Sequence, residues 1–127
     1  MKKVYDTINQ YCVEHELLTN GDGIVIGLSG GMDSVCLLQV LAALRNEWQL
    51  RLVCVHVHHG IRGTAADEDA AFAQRLAAKY NISFRLYEMD IPQLAKEQGL
   101  SEEEAGRNYR YRCFEEVRKE LNFDKIA

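Results

Sequence analysis

The sequence predicts an α/β protein in three layers, α/β/α, with helices covering both faces of a parallel sheet. Short apolar runs rich in β-branched residues alternate along the chain with longer segments of helical periodicity. Strands that alternate with helices form parallel sheets with crossover connections. The second apolar run is nearly continuous in hydrophobicity, as is typical of a strand covered on both faces. A chain of 127 residues is large enough for one domain with such a core.

The first half of the chain predicts a helix, a strand, a helix and a second strand. Residues 3–18 carry apolar side chains three and four positions apart, which indicates an amphipathic leading helix within residues 1–20. The apolar run 23–28 follows a glycine-rich turn and predicts the first strand. Residues 35–44 are long and apolar enough for a helix, and 50–57 predict the second strand.

The second half continues the alternation. We expect a helix at 65–80, with acidic residues in its first turn, and a third strand at 82–89. A short helix at 91–99 begins near the only proline and stops at a glycine. A capping box opens a helix from Ser101 to about residue 121, and 123–127 begin a fourth strand.

Composition and charge exclude several classes of protein. The content of hydrophobic residues, 47%, and charged residues, 27%, is ordinary for a soluble globular protein. No apolar run approaches the ~20 residues that span a bilayer, so we expect no membrane partner and a cytoplasmic location. The 4 cysteines are scattered, which predicts reduced, mostly buried thiols. A net charge of −4 is not that of a stand-alone nucleic-acid binder.

Residues 29–34, between the first strand and the next helix, have the features of a phosphate site. The start of a helix aims unpaired N–H groups and the positive end of its dipole at one point. Gly30 and Gly31 let a ligand approach the backbone closely. Asp33 indicates Mg²⁺, because a carboxylate beside a polyphosphate is repulsive without a cation. Neither the Walker nor the dinucleotide fingerprint is present, and a capped helix after a glycine turn is the alternative interpretation.

The string Ser-Gly-Gly-x-Asp-Ser resembles the pyrophosphate loop, or PP-loop, of the ATP-pyrophosphatase superfamily, whose domain has the adenine-nucleotide alpha hydrolase-like fold. Enzymes of that superfamily activate a carbonyl oxygen as an adenylate and release pyrophosphate. The resemblance implies ATP as cofactor and Asp33 as the ligand of Mg²⁺. The residues implied in holding the triphosphate are Ser29, Gly30, Gly31, Met32, Asp33 and Ser34.

The histidine-rich end of the second strand allows three interpretations. His56, His58 and His59 could bind zinc, although no carboxylate or cysteine lies at a helpful spacing. His56 could instead be a packed strand residue beside an ordinary loop. The segment could also border a ligand, because it ends at the same sheet edge as the phosphate loop. Its sequence resembles the second motif of tRNA(Ile)-lysidine synthetases, which implies that main-chain groups of Val57 and His58 lie near an adenosine base.

The long C-terminal helix carries a third matching segment. It is similar to that family's Glu-x-x-Ala-Arg-x-x-Arg-Tyr motif, through Glu103, Arg107, Arg110, Tyr111 and Phe114. Gly106 stands where the family usually has alanine, which costs about 1 kcal/mol of helix propensity. The alternative is a solvated helix with ion pairs. The resemblance implies that Arg107 first, and Arg110 second, stabilise ATP and the reaction intermediate, since arginine can bind phosphate with two parallel hydrogen bonds.

Together the three motifs imply a ligase that modifies tRNA. Lysidine synthetases use ATP to adenylate O2 of the wobble cytidine in tRNA(Ile) with a CAU anticodon, and L-lysine then displaces AMP. The family continues past the fourth strand with a lysine-binding segment and C-terminal tRNA-binding domains. We therefore expect residues 1–127 to be the N-terminal part of the catalytic domain, inactive alone, with most tRNA contacts elsewhere. An exposed last strand edge would favour a homodimer.

Two other classes of function remain open from the sequence. A different PP-loop pyrophosphatase, either a tRNA thiolase or an amide-forming synthetase, shares the first motif. A thiolase would be expected to carry functional cysteines near the site, and Cys36 and Cys54 lack a paired spacing. A non-catalytic nucleotide-binding module would bind ATP or AMP without turnover.

Overall fold

The computed structural model describes residues 19–28, 32–60 and 65–127, with the backbone alone for Met32 and Asp33. The predicted leading helix at 3–18 lies outside these residues, and so do positions 29–31 of the phosphate loop. The elements in chain order are β1 (Gly23–Gly27), α1 (Met32–Trp48), β2 (Arg51–His58), α2 (Ala65–Lys79), β3 (Ser83–Glu88), α3 (Ile91–Gln98), α4 (Glu102–Leu121) and β4 (Lys125–Ile126).

The four described strands form one parallel sheet in the order β3-β2-β1-β4. From β1 the chain moves through β2 to β3 on one side, and β4 then pairs with the other side of β1. The direction of the strand order therefore reverses between β1 and β4. Ligands of open parallel sheets bind at such a switch point, beyond the carboxyl ends of the strands.

Helices cover both faces of the sheet, which confirms the predicted three layers. Alternate residues of β1 point to opposite faces, as in any strand. Ile24 and Ile26 pack in the core with α1 and α2, whereas Val25 packs with Val117 of α4 on the other face. The short helix α3 lies against α4, where Ile91 joins a third cluster of buried residues.

Caps fix the last two helices where the sequence predicts their ends. The Ser101 hydroxyl accepts a hydrogen bond from the Glu104 N–H at 3.1 Å, as the predicted capping box requires. Gly99 ends α3 in the left-handed conformation. The side chain of Asp90 caps the start of α3 by accepting from the Gln93 N–H at 3.1 Å, a contact that the sequence analysis did not identify.

Two element boundaries differ from the prediction in ways that matter for the site. The helix α1 begins at Met32, three residues before the apolar run, because Asp33 and Ser34 in its first turn interrupt the apolar pattern from which the helix was predicted. The strand β2 extends through His58, so His56 and His58 are strand residues. The predicted fourth strand is confirmed as β4, paired in parallel with β1.

Polar contacts at the start of β1 attach β4 to the sheet. The buried Asp22 carboxylate accepts a hydrogen bond from the Thr19 N–H at 2.8 Å and pairs with the Lys125 ammonium. Asp124 accepts from the Gly23 N–H at 2.8 Å and contacts Arg51. Burial raises the pKa of Asp22, but Lys125, the Thr19 N–H and Arg51 outweigh it and hold this pKa below its usual value.

Candidate functional site

A pocket of about 250 Å³ lies at the switch point of the sheet, beyond the carboxyl ends of β1, β2 and β4. The helix α4 closes one side of it. Residues that line it include Gly27, Val57, His59, Arg110, Tyr111 and Phe114. The pocket thus brings the end of the strand before the phosphate loop together with the histidine segment and the arginine-bearing helix. The sequence predicted that the phosphate loop and the histidine segment lie at one edge of the sheet, but not that α4 joins them there.

Gly27 and Phe114 fit one another across the pocket floor. A Cβ atom added to Gly27 would lie 2.6 Å from Cζ of Phe114, closer than non-bonded carbon atoms approach. The missing side chain at Gly27 therefore lets the Phe114 ring lie directly against β1. Tyr111 packs against Phe114 with the ring centroids 6.1 Å apart and the planes at 77°. This edge-on contact builds an aromatic wall from residues one turn apart on α4.

His56 holds the end of β1 in place. The Nδ1 atom of this buried histidine lies 2.5 Å from the Leu28 carbonyl oxygen, so Nδ1 carries the proton and donates. The Leu28 N–H in turn donates to the Val55 carbonyl oxygen at 2.9 Å. His56 is a packed strand residue, as one of the three interpretations proposed, and it also lines the pocket. Its hydrogen bond fixes the backbone one residue before position 29.

His58 is also buried, and both of its ring nitrogens have protein partners. The Gly60 N–H donates to Nδ1 at 2.9 Å, so the proton lies on Nε2, which donates to Asp67 Oδ1 at 2.5 Å. The side chain is not among the lining residues of the pocket, while neighbouring Val57 is. The predicted adenosine contacts of Val57 and His58 concern main-chain atoms, and they stay predictions. In the described part of the chain, no three His, Cys, Asp or Glu residues form a group that could hold a metal ion.

Gly60 makes the tight turn after β2 possible. Its φ is +92°, a conformation that side chains rarely adopt. A Cβ atom there would lie 2.7 Å from Cα of Asp90 and 2.8 Å from the Met89 carbonyl oxygen. Both the conformation and the space require glycine. The turn aims His59 at α4, where its Cε1 lies 3.9 Å from the position a Cβ on Gly106 would take.

His59 lines the pocket, whereas its sequence pattern indicated this side chain only as a possible zinc ligand. Partial burial lowers the pKa of its imidazole, and the charge of Arg110 lowers it further, against a smaller opposing effect of Asp69. The ring is therefore neutral near pH 7, with one nitrogen that donates and one that accepts. The signal in the sequence was its place between the end of β2 and Gly60. That position alone did not reveal which way the side chain pointed.

The two arginines of α4 occupy different positions. Arg110 is partly buried and lines the pocket, and within the described ranges no ion pair joins it to another residue. Arg107 is exposed and is not among the lining residues of this pocket. Of the motif residues on α4, Arg110, Tyr111 and Phe114 therefore lie in the pocket wall. The roles assigned to Arg107 and Arg110 stay predictions.

The phosphate loop itself lies mostly outside the described residues. Ser29, Gly30 and Gly31 fall in the gap, and the side chains of Met32 and Asp33 are likewise not described. The backbone places Asp33 in the first turn of α1, near the helix N-terminus that the sequence analysis predicted, and Ser34 follows, partly buried. A carboxylate at that turn has the oxygen chemistry that Mg²⁺ prefers. None of the helices in the described ranges is long and apolar enough to cross a membrane.

Comparison with known families finds a match over almost the whole chain. The family model for the PP-loop domain matches residues 2–127. The chain is 46% identical over 127 residues to a protein of Caldanaerobacter subterraneus subsp. tengcongensis and 40% identical over 124 residues to one of Clostridium tetani. Both relatives are named tRNA(Ile)-lysidine synthase. The chain spans only 26% of the length of each.

Two solved structures resemble the fold. An NH3-dependent NAD synthetase from Campylobacter jejuni superposes with a TM-score of 0.70 at 20% identity, covering 99% of this chain and 55% of that one. A U34-tRNA thiolase from Methanococcus maripaludis superposes with a TM-score of 0.54 at 24% identity, covering 69% and 31%. At these identities the likeness concerns the arrangement of the sheet and helices alone.

Proposed function

The chain belongs to the PP-loop family, and from that premise we propose that it is the ATP-binding part of a tRNA(Ile)-lysidine synthetase. The names of the relatives support this proposal, at 46% and 40% identity. So do the three motifs, which follow one another in the family's order. The observation that carries the proposal is the pocket at the switch point, where the end of β1 and the helix α4 face each other.

In this proposal each part of the site contributes to binding ATP. The N–H groups of residues 29–34 would bind the pyrophosphate portion, because this segment leads into α1, whose dipole is positive at its N-terminus. Asp33 would hold Mg²⁺, which offsets phosphate charge when bound. Arg110, which lies in the pocket wall, would bind the phosphates. Arg107, one turn earlier on the exposed surface of α4, would be the second phosphate-binding arginine. Main-chain groups of Val57 and His58 would border the adenosine.

The proposed reaction has two displacement steps. The cytidine O2 attacks the α-phosphorus of ATP, and the bond between that phosphorus and the pyrophosphate oxygen breaks. The lysine amine then attacks C2 of the adenylated cytidine, loses a proton, and the bond from C2 to the AMP oxygen breaks. The loop N–H groups and Arg110 would offset the negative charge that develops on pyrophosphate in the first step.

The substrates need more surface than this pocket provides. A volume of about 250 Å³ lies below the ~300–1,000 Å³ of pockets that enclose a whole small ligand, so it suits one part of ATP or of its partner. We propose that lysine and most of tRNA(Ile) bind regions of the protein that correspond to the rest of the relatives' length. The cytoplasmic location and the homodimer, formed along β4 at the edge of the described sheet, are parts of the same proposal.

A chimaera tests the proposal directly. Residues 1–127 replace the matching segment of the Caldanaerobacter relative, which is 46% identical over that span. The chimaera is incubated with ATP, Mg²⁺, lysine and a CAU-anticodon tRNA(Ile), and pyrophosphate and lysidine are measured by phosphate assay and by mass spectrometry of nuclease digests. We expect both products, no lysidine from an Asp33→Ala chimaera, and none from residues 1–127 alone.

The same assay separates the alternatives. The unmodified relative serves as the positive control for every component. Pyrophosphate release without lysidine would indicate a different PP-loop pyrophosphatase. Binding of ATP by a folded chimaera with no pyrophosphate release would indicate a nucleotide-binding module and would contradict the proposal.

A further inference from the structure

Tyr111 is the most exposed large hydrophobic side chain in the described part of the protein. Three such side chains are exposed there, Phe72 at 39%, Leu86 at 51% and Tyr111 at 61%. Of these three, Tyr111 alone lines the pocket. Single exposed apolar residues are common on protein surfaces, so exposure alone says little. The position at the mouth of the proposed ATP site is what distinguishes this ring.

The Tyr111 ring is exposed but packs against a neighbouring ring, that of Phe114. Phe114 lies against the backbone of β1 because Gly27 has no side chain, and Tyr111 packs edge-on against Phe114. In an edge-on pair the two ring faces do not stack on each other. A planar ligand can therefore meet the exposed part of a Tyr111 ring that Phe114 already restrains on one side, which reduces the conformational entropy lost on binding.

The surroundings combine an aromatic ring with a cation and a neutral polar group. Arg110 precedes Tyr111 and lines the same pocket, without an ion pair in the described ranges. His59 also lines the pocket, on the Arg110 side near Gly106 of α4, and can donate or accept a hydrogen bond. Aromatic stacking beside a basic side chain is the usual means by which proteins bind unpaired nucleobases and their phosphates.

We propose that Tyr111 is a stacking platform for a nucleobase, with Arg110 beside the phosphate of the same nucleotide. The proposal rests on the proposed function, because that function supplies two nucleobases to this site. One is the adenine of ATP, and the other is the base of the RNA that is modified. Both have a π-face of the kind that stacks on tyrosine, and the pocket volume of about 250 Å³ suits a ring system rather than a whole nucleotide.

Two substitutions at one position isolate stacking from other roles. Tyr111→Leu removes the ring but keeps an apolar side chain, whereas Tyr111→Phe keeps the ring and removes the hydroxyl group. Both variants should fold, because the side chain is 61% exposed. Phe72→Leu on α2 is the matched control, since it makes the same kind of change at an exposed aromatic that does not line the pocket.

Binding of three probes is measured by calorimetry: Mg²⁺–ATP, Mg²⁺–tripolyphosphate without a base, and an anticodon stem-loop RNA carrying CAU. The stem-loop and ATP are also titrated into the chimaera described above. Loss of base stacking is expected to weaken binding about 5- to 150-fold. We expect Tyr111→Leu to weaken ATP or stem-loop binding by that factor, and Tyr111→Phe and Phe72→Leu to change it less than about 2-fold.

Each result has a definite meaning. A loss confined to ATP assigns the platform to adenine, and a loss confined to the stem-loop assigns it to the substrate base. No loss with either probe overturns the proposal, and so does an equal loss for tripolyphosphate, which has no base. If tripolyphosphate binds but Tyr111→Leu leaves the affinities for ATP and the stem-loop unchanged, the stacking proposal is wrong, while the phosphate site of the proposed function is retained. If no probe binds the folded wild type, both proposals fail.

Discussion

Replacing Gly106 with alanine should stabilise the protein. Gly106 is buried in the first half of α4, beside α3 and the pocket. A Cβ atom there would lie 3.5 Å from Nη1 of Arg110, 3.6 Å from Cγ2 of Ile91 and 3.9 Å from Cε1 of His59. These are ordinary van der Waals distances, so the methyl group fits without moving its neighbours. Glycine has more conformational freedom than alanine in the unfolded chain, so fixing glycine in a helix costs more entropy. Alanine at this position lowers that entropic cost of folding.

The expected gain is about 1 kcal/mol in the free energy of unfolding. Helix propensity alone favours alanine over glycine by about 0.8–1.0 kcal/mol. Burying the methyl group adds up to about 0.8 kcal/mol, which is an upper bound because the unfolded chain also shields part of it. The midpoint of thermal unfolding should rise by about 2–8 °C for a domain of this size.

Urea unfolding followed by far-UV circular dichroism measures the change, with the slope of the transition as a check that the same surface unfolds. Gly60→Ala is the matched control, because it puts the same methyl group where φ is +92° and backbone atoms lie within 2.9 Å. That variant should lose more than about 1 kcal/mol. A destabilised Gly106→Ala protein would refute the reasoning, since it would mean that Arg110 or Ile91 leaves no room for a methyl group.

Three further predictions concern charge, nucleotide binding and thiol reactivity. Asp22→Asn should lower the free energy of unfolding by about 2 kcal/mol at pH 7, because the lysine of β4 loses its buried partner. The folded pKa of Asp22 is depressed, so this stabilisation is present above the unfolded pKa of about 3.9 and is lost as the pH falls through the folded pKa. Urea titrations at several pH values measure the difference between the two proteins, and a difference that does not shrink on acidification below the unfolded pKa would contradict this prediction. In calorimetry Arg110→Ala should weaken Mg²⁺–ATP binding about 10-fold, and more than Arg107→Ala does, because Arg110 lines the pocket and Arg107 does not. A larger loss for Arg107→Ala would instead favour the order that the motif implied, with Arg107 first. Burial raises the pKa of the Cys54 thiol to about 11, so a thiol reagent at pH 8 should label exposed Cys36 before Cys54. Equal labelling rates of these two thiols, measured by peptide mass spectrometry, would count against the buried position of Cys54.

The sequence predicted the elements well because their signals are local. The serine and glutamate of the capping box lie within one turn, and the start of α4 follows from them. The strand β1 likewise follows from a short apolar run, and the parallel sheet follows from the alternation of such strands with helices along the chain. The histidine segment and the phosphate loop were predicted at one edge because all strands of a parallel sheet end together.

The pocket depends on contacts that no local pattern contains. Gly27 and Phe114 are far apart in the sequence, and the fit of the ring to the glycine follows only from how α4 crosses β1. The ion pair of Asp22 with Lys125, which attaches β4, likewise joins residues that are far apart in the sequence. The motif singled out His58, but it could not predict that the His58 side chain points to Asp67, because the position of Asp67 depends on where α2 begins. Tertiary packing of this kind has no short-range signature.

A calorimetric titration of residues 1–127 with Mg²⁺–ATP tests most directly whether this domain holds the nucleotide. Wild type is compared with Asp33→Ala and with metal-free ATP, and circular dichroism confirms that each sample is folded. We expect saturable binding that weakens when either the metal or the Asp33 carboxylate is removed, because both act on the same phosphate charge. Equal affinity in all three titrations, or no binding by folded protein, would contradict the assignment of residues 29–34 as the ATP site of this chain.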